Sequence, residues 1–271
     1  MATEVPEAFL DLGKESIYRS KISSVSAWAV SIKKHINDAF ETAESILVRE
    51  GFAPNSAKST YHHRKLGVAR DIITESRKGY DAMIVGRSGV SRIQEVVLGS
   101  VTSKILCDSG NPPIAVVGGC PETDNILIGF DSSESAGKAI DAVCNLMASD
   151  SRDVMLCHVV RSLNLFLHEQ IVFGAEEEKM WLDETRQGME VPMLEAEQKL
   201  IDAGFHPGRT YKQVLEDNLS RAAGIVQAAS DGGYGTIVVG RRGLSRVQQF
   251  IMGRVSRKVL HMAKEMTVWV I

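Results

Sequence analysis

A glycine-spaced segment occurs twice in this chain and constrains the fold more than any other feature. The first copy reads Val85-Gly86-Arg87-Ser88-Gly89 and, nine residues later, Gly99-Ser100-Val101. The second reads Val239-Gly240-Arg241-Arg242-Gly243 and, nine residues later, Gly253-Arg254-Val255. Between residues 84–106 and 238–260, eleven of 23 aligned positions are identical. The spacing predicts either a loop that folds its backbone around a ligand or a tight strand-to-helix turn that needs glycine for packing.

The repeat extends beyond these glycines. Residues 43–52 match residues 196–205 at an offset of 153, and Gly79-Tyr80 matches Gly233-Tyr234 at an offset of 154. A period this long indicates two domain-sized copies rather than a solenoid of small units. We predict domain boundaries at residues 1–119 for the first copy and 124–271 for the second.

The second copy is predicted to alternate strands with helices, which is typical of a parallel sheet covered on both faces. Strands are predicted at 125–130, 154–160, 209–215, 236–239 and 267–271, and helices at 135–148, 193–203, 219–230 and 247–262. Ligands of such sheets bind beyond the carboxyl ends of the strands. Asp131 and Gly240 both fall at such ends.

The first copy is predicted to be incomplete. It has helices at 27–49 and 67–78 and strands at 59–65, 82–85 and 114–117, but no counterpart of the strand at 125–130, of Asp131 or of the helix that follows. We expect it to form a strand pair docked on the edge of the second copy, with residues before about Tyr80 less well anchored. We also expect a longer native form beginning roughly 30 residues upstream, which mass spectrometry of the endogenous protein would test.

The two motifs suit a phosphate ligand. Backbone N–H groups after a strand, together with the dipole of the following helix, favour anions. Ser100 adds a hydroxyl donor, and the guanidinium groups of Arg87 and Arg241 can pair with phosphate oxygens. In the second copy, Arg254 stands where the first has Ser100.

Two residues outside the motif are further candidates. Asp131, at the end of the opening strand, can accept hydrogen bonds from ribose hydroxyls or can cap the next helix. Val159, at the end of the following strand, can offer its backbone to an adenine edge or can belong to the core.

These residues resemble the nucleotide motif of the universal stress protein family. The resemblance rests on Gly-x2-Gly-x9-Gly-Ser followed by Val101 and Thr102, and on the strand 128–130 ending at Asp131. It implies tandem open parallel sheets in the strand order 3-2-1-4-5, with the first copy lacking its opening strands. It also implies binding of ATP or AMP, with Mg²⁺ as a candidate companion ion, and self-association through the last strand of each domain.

Carried over to this chain, the resemblance implies one nucleotide site in each copy. In the second copy, Asp131 would hold the ribose and Val159 the adenine. The phosphate loop there would comprise Val239, Gly240, Arg241, Gly243, Gly253, Arg254, Val255 and Ser256. In the first copy it would comprise Gly86, Arg87, Gly89, Gly99, Ser100 and Val101. We prefer the second site, because only that copy has both the glycine loop and the strand that carries the aspartate.

Composition excludes several other classes of protein. The net charge of -3 and a pI near 6.2 argue against a dedicated nucleic-acid binder. No apolar run reaches the length of a membrane-spanning helix, and no signal peptide is apparent at the first residues. The cysteines, at 107, 120, 144 and 157, form no CxxC pair, which favours a cytoplasmic protein with free thiols and no metal site.

The sequence therefore predicts a nucleotide-binding stress-response regulator with a protein partner that it does not reveal. No nucleophile and base are placed together in the sequence, so we expect no enzyme beyond weak ATP hydrolysis. The alternative is a nucleotide-free scaffold or dimerisation module of the same fold. Arg254 and the missing aspartate strand of the first copy favour that alternative.

Overall fold

The computed structural model describes residues 16–62, 64–88, 98–108, 110–119, 121, 123–161, 173–216, 220–243 and 252–271. By its internal contacts the chain divides into two units, residues 1–71 and 72–271. All seven described strands belong to the larger unit. The domain boundary proposed between residues 119 and 124 stays a prediction.

The smaller unit is built on helix α1 (Ser16–Arg49), which includes and extends the predicted helix. The helix is followed by a turn at Gly51, whose φ of +97° is strained for residues with a side chain. The strand predicted at 59–65 is wrong, since the described residues there are irregular. Tyr61 packs its ring edge on Phe40, with centroids 5.5 Å apart. A strand needs a partner to hydrogen-bond, and the described part of residues 1–71 contains no strand that could flank this one.

Helix α2 (Val68–Ser76) follows a turn held by Asp71. The carboxylate of Asp71 accepts hydrogen bonds from the backbone N–H groups of Leu66, at 3.1 Å, and Lys65, at 2.9 Å. These bonds favour the charged form and lower the pKa of Asp71.

Seven strands form one mostly parallel sheet in the larger unit. They are β1 (Met83–Gly86), β2 (Ile114–Val117), β3 (Ile126–Gly129), β4 (Val154–Val159), β5 (Thr210–Leu215), β6 (Thr236–Val239) and β7 (Thr267–Val270). Their order across the sheet is β1-β2-β7-β6-β3-β4-β5. The α/β class is as predicted. The order 3-2-1-4-5 does not describe the whole sheet, although β3 to β7 follow it among themselves, and one continuous sheet replaces the expected tandem pair.

The junction between the two repeated segments is the antiparallel pair of β2 and β7. Ile114 pairs with Val270, Ala115 with Trp269 and Val116 with Val268, whereas every other pair of neighbouring strands is parallel. The strand pair β1–β2 thus lies on the edge of the sheet formed by β3 to β7, as expected for a first copy without its opening strands. The three residues of β2 in this pairing are fully buried.

The helices of the larger unit overlap their predicted positions, although the last one begins at Arg254; its predicted start at residue 247 lies outside the described residues. They are α3 (Ser100–Leu106), α4 (Glu134–Met147), α5 (Ala175–Asp202), α6 (Arg221–Asp231) and α7 (Arg254–Met262), with a 3-10 turn at Pro207–Arg209. Helix α5 begins well before the predicted start at Met193. It continues through Pro192, and its first turn is fixed by a hydrogen bond of 2.8 Å from the Gly174 N–H to Glu177 Oε2.

The central strands of the sheet are covered on both faces. On one face, alternate residues of β3, β4 and β6 pack against the buried sides of α4 and α5, including Ile140, Val143, Met193 and Leu200. Gly129 points to the other face, where a Cβ would lie 3.0 Å from Ile225 of α6. Helix α7 packs against α6. The carboxyl ends of β3, β4 and β6 therefore open between the two layers of helices.

Candidate functional site

A cavity of about 690 Å³ lies at the carboxyl ends of β3, β4 and β6. Its size is within the range of about 300 to 1,000 Å³ that is usual for small-molecule sites. Three neighbouring strand ends, the start of α6 and the start of α7 contribute its walls. The lining residues are Gly129, Phe130, Asp131, Ala136, Cys157, His158, Val159, Arg161, Ser220, Arg221, Ala222, Ile225, Val239, Gly240, Arg242, Gly243, Gly253, Arg254, Val255, Ser256 and Lys258.

This cavity brings together most of the candidate residues of the second copy. The sheet order β4-β3-β6 sets their three strand ends side by side, although they are far apart in sequence. The candidates in the lining are Asp131, Val159, Val239, Gly240, Gly243, Gly253, Arg254, Val255 and Ser256. Arg241 is the candidate of this copy that does not line it.

Asp131 is positioned by a tight turn between β3 and α4. Its Oδ1 accepts a hydrogen bond from the N–H of Ser133 at 3.2 Å. The N-cap of α4 is Ser133, whose side chain accepts from the N–H of Ala136, so the helix-cap interpretation of Asp131 is wrong. Between them, Ser132 has a φ of +56°, an uncommon conformation for a residue with a side chain. The turn therefore holds the carboxylate at the cavity wall and leaves capping to Ser133.

The glycines of the second motif are needed for close approach. None of Gly240, Gly243 and Gly253 has a positive φ, so a left-handed backbone is not the reason for glycine at these positions. A Cβ on Gly240 would lie 2.7 Å from the carbonyl carbon and the Cβ of Ser135. A Cβ on Gly243 would lie 2.5 Å from Oδ2 of Asp131. The glycine turn after β6 thus packs closely against the start of α4 and against the carboxylate of Asp131.

The same hydrogen bonds close both motifs. In the second, the Gly253 N–H donates to the Arg241 carbonyl at 2.7 Å, and Ser256 Oγ donates to the Gly240 carbonyl at 2.7 Å. In the first, the Gly99 N–H donates to the Arg87 carbonyl at 2.8 Å, and Thr102 Oγ1 donates to the Gly86 carbonyl at 2.9 Å. The hydroxyl group three residues after the last glycine of each motif therefore binds the end of the strand that precedes the motif.

The motif arginines reach across the junction of the two repeated segments. Nη1 of Arg241 donates to the carbonyl oxygens of Leu106, at 3.0 Å, and Asp108, at 2.7 Å. Arg87 donates in the reverse direction, from Nη1 to the carbonyl of Leu260 and from Nη2 to that of Ala263 at 2.6 Å. Burial lowers the pKa of both guanidinium groups. Each arginine thus binds the carbonyl end of the helix that belongs to the other motif.

The candidates of the first motif lie apart from the cavity. Gly86, Arg87, Gly99, Ser100 and Val101 do not line it. Gly89 lies outside the described residues. A Cβ on Gly86 would meet only the Ser88 carbonyl, at 3.6 Å, so this turn is less closely packed than the turn at Gly240.

Basic side chains dominate the charge of the cavity. Among the residues that the structure describes, five cations line it, against the single carboxylate of Asp131; they are Arg161, Arg221, Arg242, Arg254 and Lys258. Sequence reasoning missed Arg161 and Arg221. Both could have been found by the rule that ligands bind beyond the carboxyl ends of parallel strands, which also located Asp131. Arg161 comes just after β4, and Arg221 is the first residue of the helix that follows β5. The lining is suited to an anionic ligand.

Two buried groups of β4 complete the lining. His158 Nδ1 lies 2.8 Å from the carbonyl oxygen of Phe130, to which a neutral ring donates. Burial lowers the pKa of His158 and the positive charge of Arg221 adds to this effect, while the Phe130 carbonyl and Asp131 oppose it. Burial raises the pKa of the Cys157 thiol to about 12. At neutral pH both groups are therefore uncharged.

No metal centre or membrane span is found in the part of the chain that the structure describes. Those residues contain no group of three or more His, Cys, Asp or Glu side chains that could hold a metal ion. None of the described helices is both long and apolar enough to cross a membrane.

Comparison with known proteins decides the family. The sequence model of the Universal stress protein family matches residues 122–271, more than half of the chain. The chain belongs to the universal stress protein family. A universal stress protein of Bacillus subtilis (strain 168), YxiE, is 27% identical over 143 residues, covering 50% of this chain and 90% of the relative.

Solved structures support the fold of this universal stress protein. One from Archaeoglobus fulgidus DSM 4304 has a TM-score of 0.54 at 18% identity and covers 94% of this chain and 79% of its own. The functionally unknown protein PA1789 from Pseudomonas aeruginosa PAO1 has a TM-score of 0.51 at 18% identity, covering 87% and 77% of the two chains. The chain is accordingly a stress-response protein with an open, mostly parallel α/β sheet.

Proposed function

We propose that this universal stress protein binds an adenine nucleotide, ATP or AMP, in the cavity at the ends of β3, β4 and β6. The observation that carries the proposal is the position of the Asp131 carboxylate beside a glycine turn in a cavity lined by five cations. A nucleotide needs this combination, because its ribose donates hydrogen bonds and its phosphates carry negative charge.

The phosphates would lie at the glycine turn and at the start of α7. The N-cap of α7 is Gly253, which has no side chain to accept hydrogen bonds from the backbone N–H groups of the first turn. Such groups, at the positive end of the helix dipole, favour phosphate oxygens. Arg254 and Lys258 lie on the same helix and line the same cavity. Arg242 adds a third cation from the turn itself.

The ribose and base would occupy the side of Asp131 and Val159. The carboxylate of Asp131 suits the ribose hydroxyls, and Val159 lies next to it at the end of β4. Any Mg²⁺ would depend largely on the phosphates for its ligands, since Asp131 is the single carboxylate in the described lining.

We further propose a regulatory role without efficient catalysis. The thiol of Cys157 is protonated at neutral pH, and the Nδ1 of His158 is bonded to a backbone carbonyl. Neither group is therefore prepared as a nucleophile or a general base. Binding would order the glycine turn and change a surface that a protein partner reads. The described cysteines are free, in keeping with a cytoplasmic location.

A second candidate is a nucleotide-free scaffold of the same fold. It is favoured by one specific observation: Arg241 and Arg87 are engaged with backbone carbonyls, so neither contributes a phosphate contact. In this alternative the glycine turns serve only to join the two repeated segments.

Titration calorimetry with ATP and AMP separates the two candidates. We expect saturable binding by the parent protein, with affinity reduced about tenfold or more in Asp131→Asn and in Arg254→Gln. Asp141→Asn and Arg257→Gln are matched controls, since both residues are exposed and neither lines the cavity. Absence of measurable binding by the parent protein would support the scaffold and overturn the proposal.

A further inference from the structure

The wall of the cavity at the second glycine motif carries basic side chains and no acidic ones. Arg242 belongs to the turn after β6, and Arg254 and Lys258 belong to α7. Arg254 and Lys258 are four residues apart, a spacing that places two side chains on the same face of a helix. The sequence of residues 232–264 contains no Asp or Glu, so neither the turn nor α7 can supply a carboxylate.

The charge at the start of α7 opposes the dipole of the helix. Its first turn contains no acidic residue and begins with Arg254. Acidic side chains are the ones that stabilise a helix N-terminus, whereas cations are favourable at the other end. The first motif has Ser100 at the corresponding position, so the repeated turn does not itself require a basic residue there. An anion bound in front of α7 would turn this unfavourable arrangement into a favourable one.

A magnesium ion fits this wall poorly. Mg²⁺ demands octahedral coordination by oxygen, and proteins usually hold it with one or two carboxylates besides the phosphates and water. Asp131 is the single carboxylate of the described lining, and its Oδ1 already accepts a hydrogen bond from the Ser133 N–H at 3.2 Å. The proposed function also assigns Asp131 to the ribose. A divalent cation here would add positive charge beside three cationic side chains.

We propose that the cavity selects the adenine nucleotide free of Mg²⁺, with Arg242, Arg254 and Lys258 taking the place of the metal ion at the phosphates. The inference rests on the proposed function and specifies the ionic form of its ligand. Guanidinium and ammonium groups suit this role, because they donate charge-assisted hydrogen bonds to phosphate oxygens.

The sign of the Mg²⁺ effect follows from the charges. Mg²⁺ cancels part of the negative charge of ATP, so the magnesium complex gains less than free ATP from three cations and a helix N-terminus. It also occupies phosphate oxygens that the side chains would otherwise contact. AMP is the reference, since its single phosphate holds Mg²⁺ less tightly than the adjacent phosphates of ATP, which chelate the ion together.

Titration calorimetry with ATP and with AMP, in EDTA and in excess MgCl₂ at equal ionic strength, tests the inference. We expect Mg²⁺ to weaken the binding of ATP about fivefold or more and to change that of AMP by less than about twofold. ATP binding that is unchanged or tighter with Mg²⁺ would overturn the inference and leave the proposed function intact. Equal weakening of ATP and AMP would also overturn it, as a general salt effect. Failure of both nucleotides under both conditions would overturn the proposed function as well.

A variant at the start of α7 tests the role of the cations. Arg254→Ser introduces the residue of the first motif and should weaken the binding of free ATP about tenfold or more. It should weaken that of the magnesium complex less, so that the Mg²⁺ effect becomes smaller. Arg257→Ser removes the same charge from an exposed position of α7 outside the described lining, and should keep the parental Mg²⁺ effect. A folded Arg254→Ser protein with the parental Mg²⁺ effect would contradict the assignment.

Discussion

Nη1 of Arg241 donates a hydrogen bond of 2.7 Å to the backbone carbonyl of Asp108, a residue of the other repeated segment. Arg87 makes the mirror contact, with Nη2 2.6 Å from the carbonyl of Ala263. The arginine of each motif therefore stabilises the end of the partner motif's helix. A residue that looked like a phosphate ligand in the sequence holds the two segments together in the structure.

Replacing Arg241 by Gln should lower the free energy of unfolding by about 1 to 3 kcal/mol, because carbonyl groups that accept from a buried cation lose their donor. Arg87→Gln should act in the same direction. The neighbouring Arg242→Gln is the matched control, since that side chain is exposed, and should change stability by less than about 0.5 kcal/mol. Urea denaturation measures all three. Equal stabilities of the Arg241 and Arg242 variants would show that the cross-segment bonds contribute nothing.

Alanine at the first glycine should destabilise the protein in the second motif and have little effect in the first. At Gly240 the new Cβ would lie 2.7 Å from backbone and side-chain atoms of Ser135, and relief of that overlap should cost about 1 to 3 kcal/mol of stability. At Gly86 the nearest atom is 3.6 Å away, so Gly86→Ala should be within about 0.5 kcal/mol of the parent protein. Thermal and urea unfolding of the pair provide the measurement. A Gly240→Ala protein as stable as the Gly86→Ala protein would mean that the turn and α4 can separate freely.

His158 should make stability depend on pH below neutrality. Its pKa in the folded protein is lower than the ordinary value of 6.5, so the unfolded chain binds more protons as the pH falls below 6.5. The free energy of unfolding should therefore decrease from pH 7 toward pH 5, with a slope from this group of at most about 1.4 kcal/mol per pH unit.

His158→Asn should flatten that part of the stability profile. His261→Asn, which removes an exposed histidine, is the control and should leave the slope unchanged. Urea denaturation at half-unit pH steps measures the three slopes. If His158→Asn keeps the parental slope, another group is responsible for the pH dependence.

Cys157 should be protected from thiol reagents despite its place in the cavity lining. With a pKa of about 12 it has almost no thiolate at pH 8, and its side chain is buried. Cys107 is exposed and should react readily. Peptide mapping by mass spectrometry after treatment with iodoacetamide should show modification of Cys107 in the native protein, and of Cys157 only after denaturation. Similar rates at the two residues in the native state would mean that β4 opens easily.

Much of the second copy could be predicted from its sequence, because each element has a local signal. The apolar run before Asp131 predicts β3, and the periodic residues after it predict α4. The glycine spacing predicts the turn from β6 to α7. Since strand ends of a parallel sheet meet at one edge, the convergence of Asp131 and Gly240 also follows from the pattern.

The remaining features depend on contacts between distant residues. The direction of the Arg241 side chain is set by carbonyl groups 133 and 135 positions away, which no local pattern reveals. The strand expected at 59–65 has a suitable sequence but lacks the neighbouring strands that would pair with it. The continuity of the sheet from β1 to β5 likewise depends on the pairing of β2 with β7.

That pairing also limits how copies of the protein could associate through their strands. β2 lies between β1 and β7, and β7 lies between β2 and β6, so both last strands already have two neighbours within one chain. A second chain could add to either strand only by displacing one of those neighbours. Association of copies through the last strands is therefore saturated internally, and the strands at the outer edges of the described sheet are β1 and β5. Since the cavity draws on only one of the two motifs, we expect one bound ligand per chain.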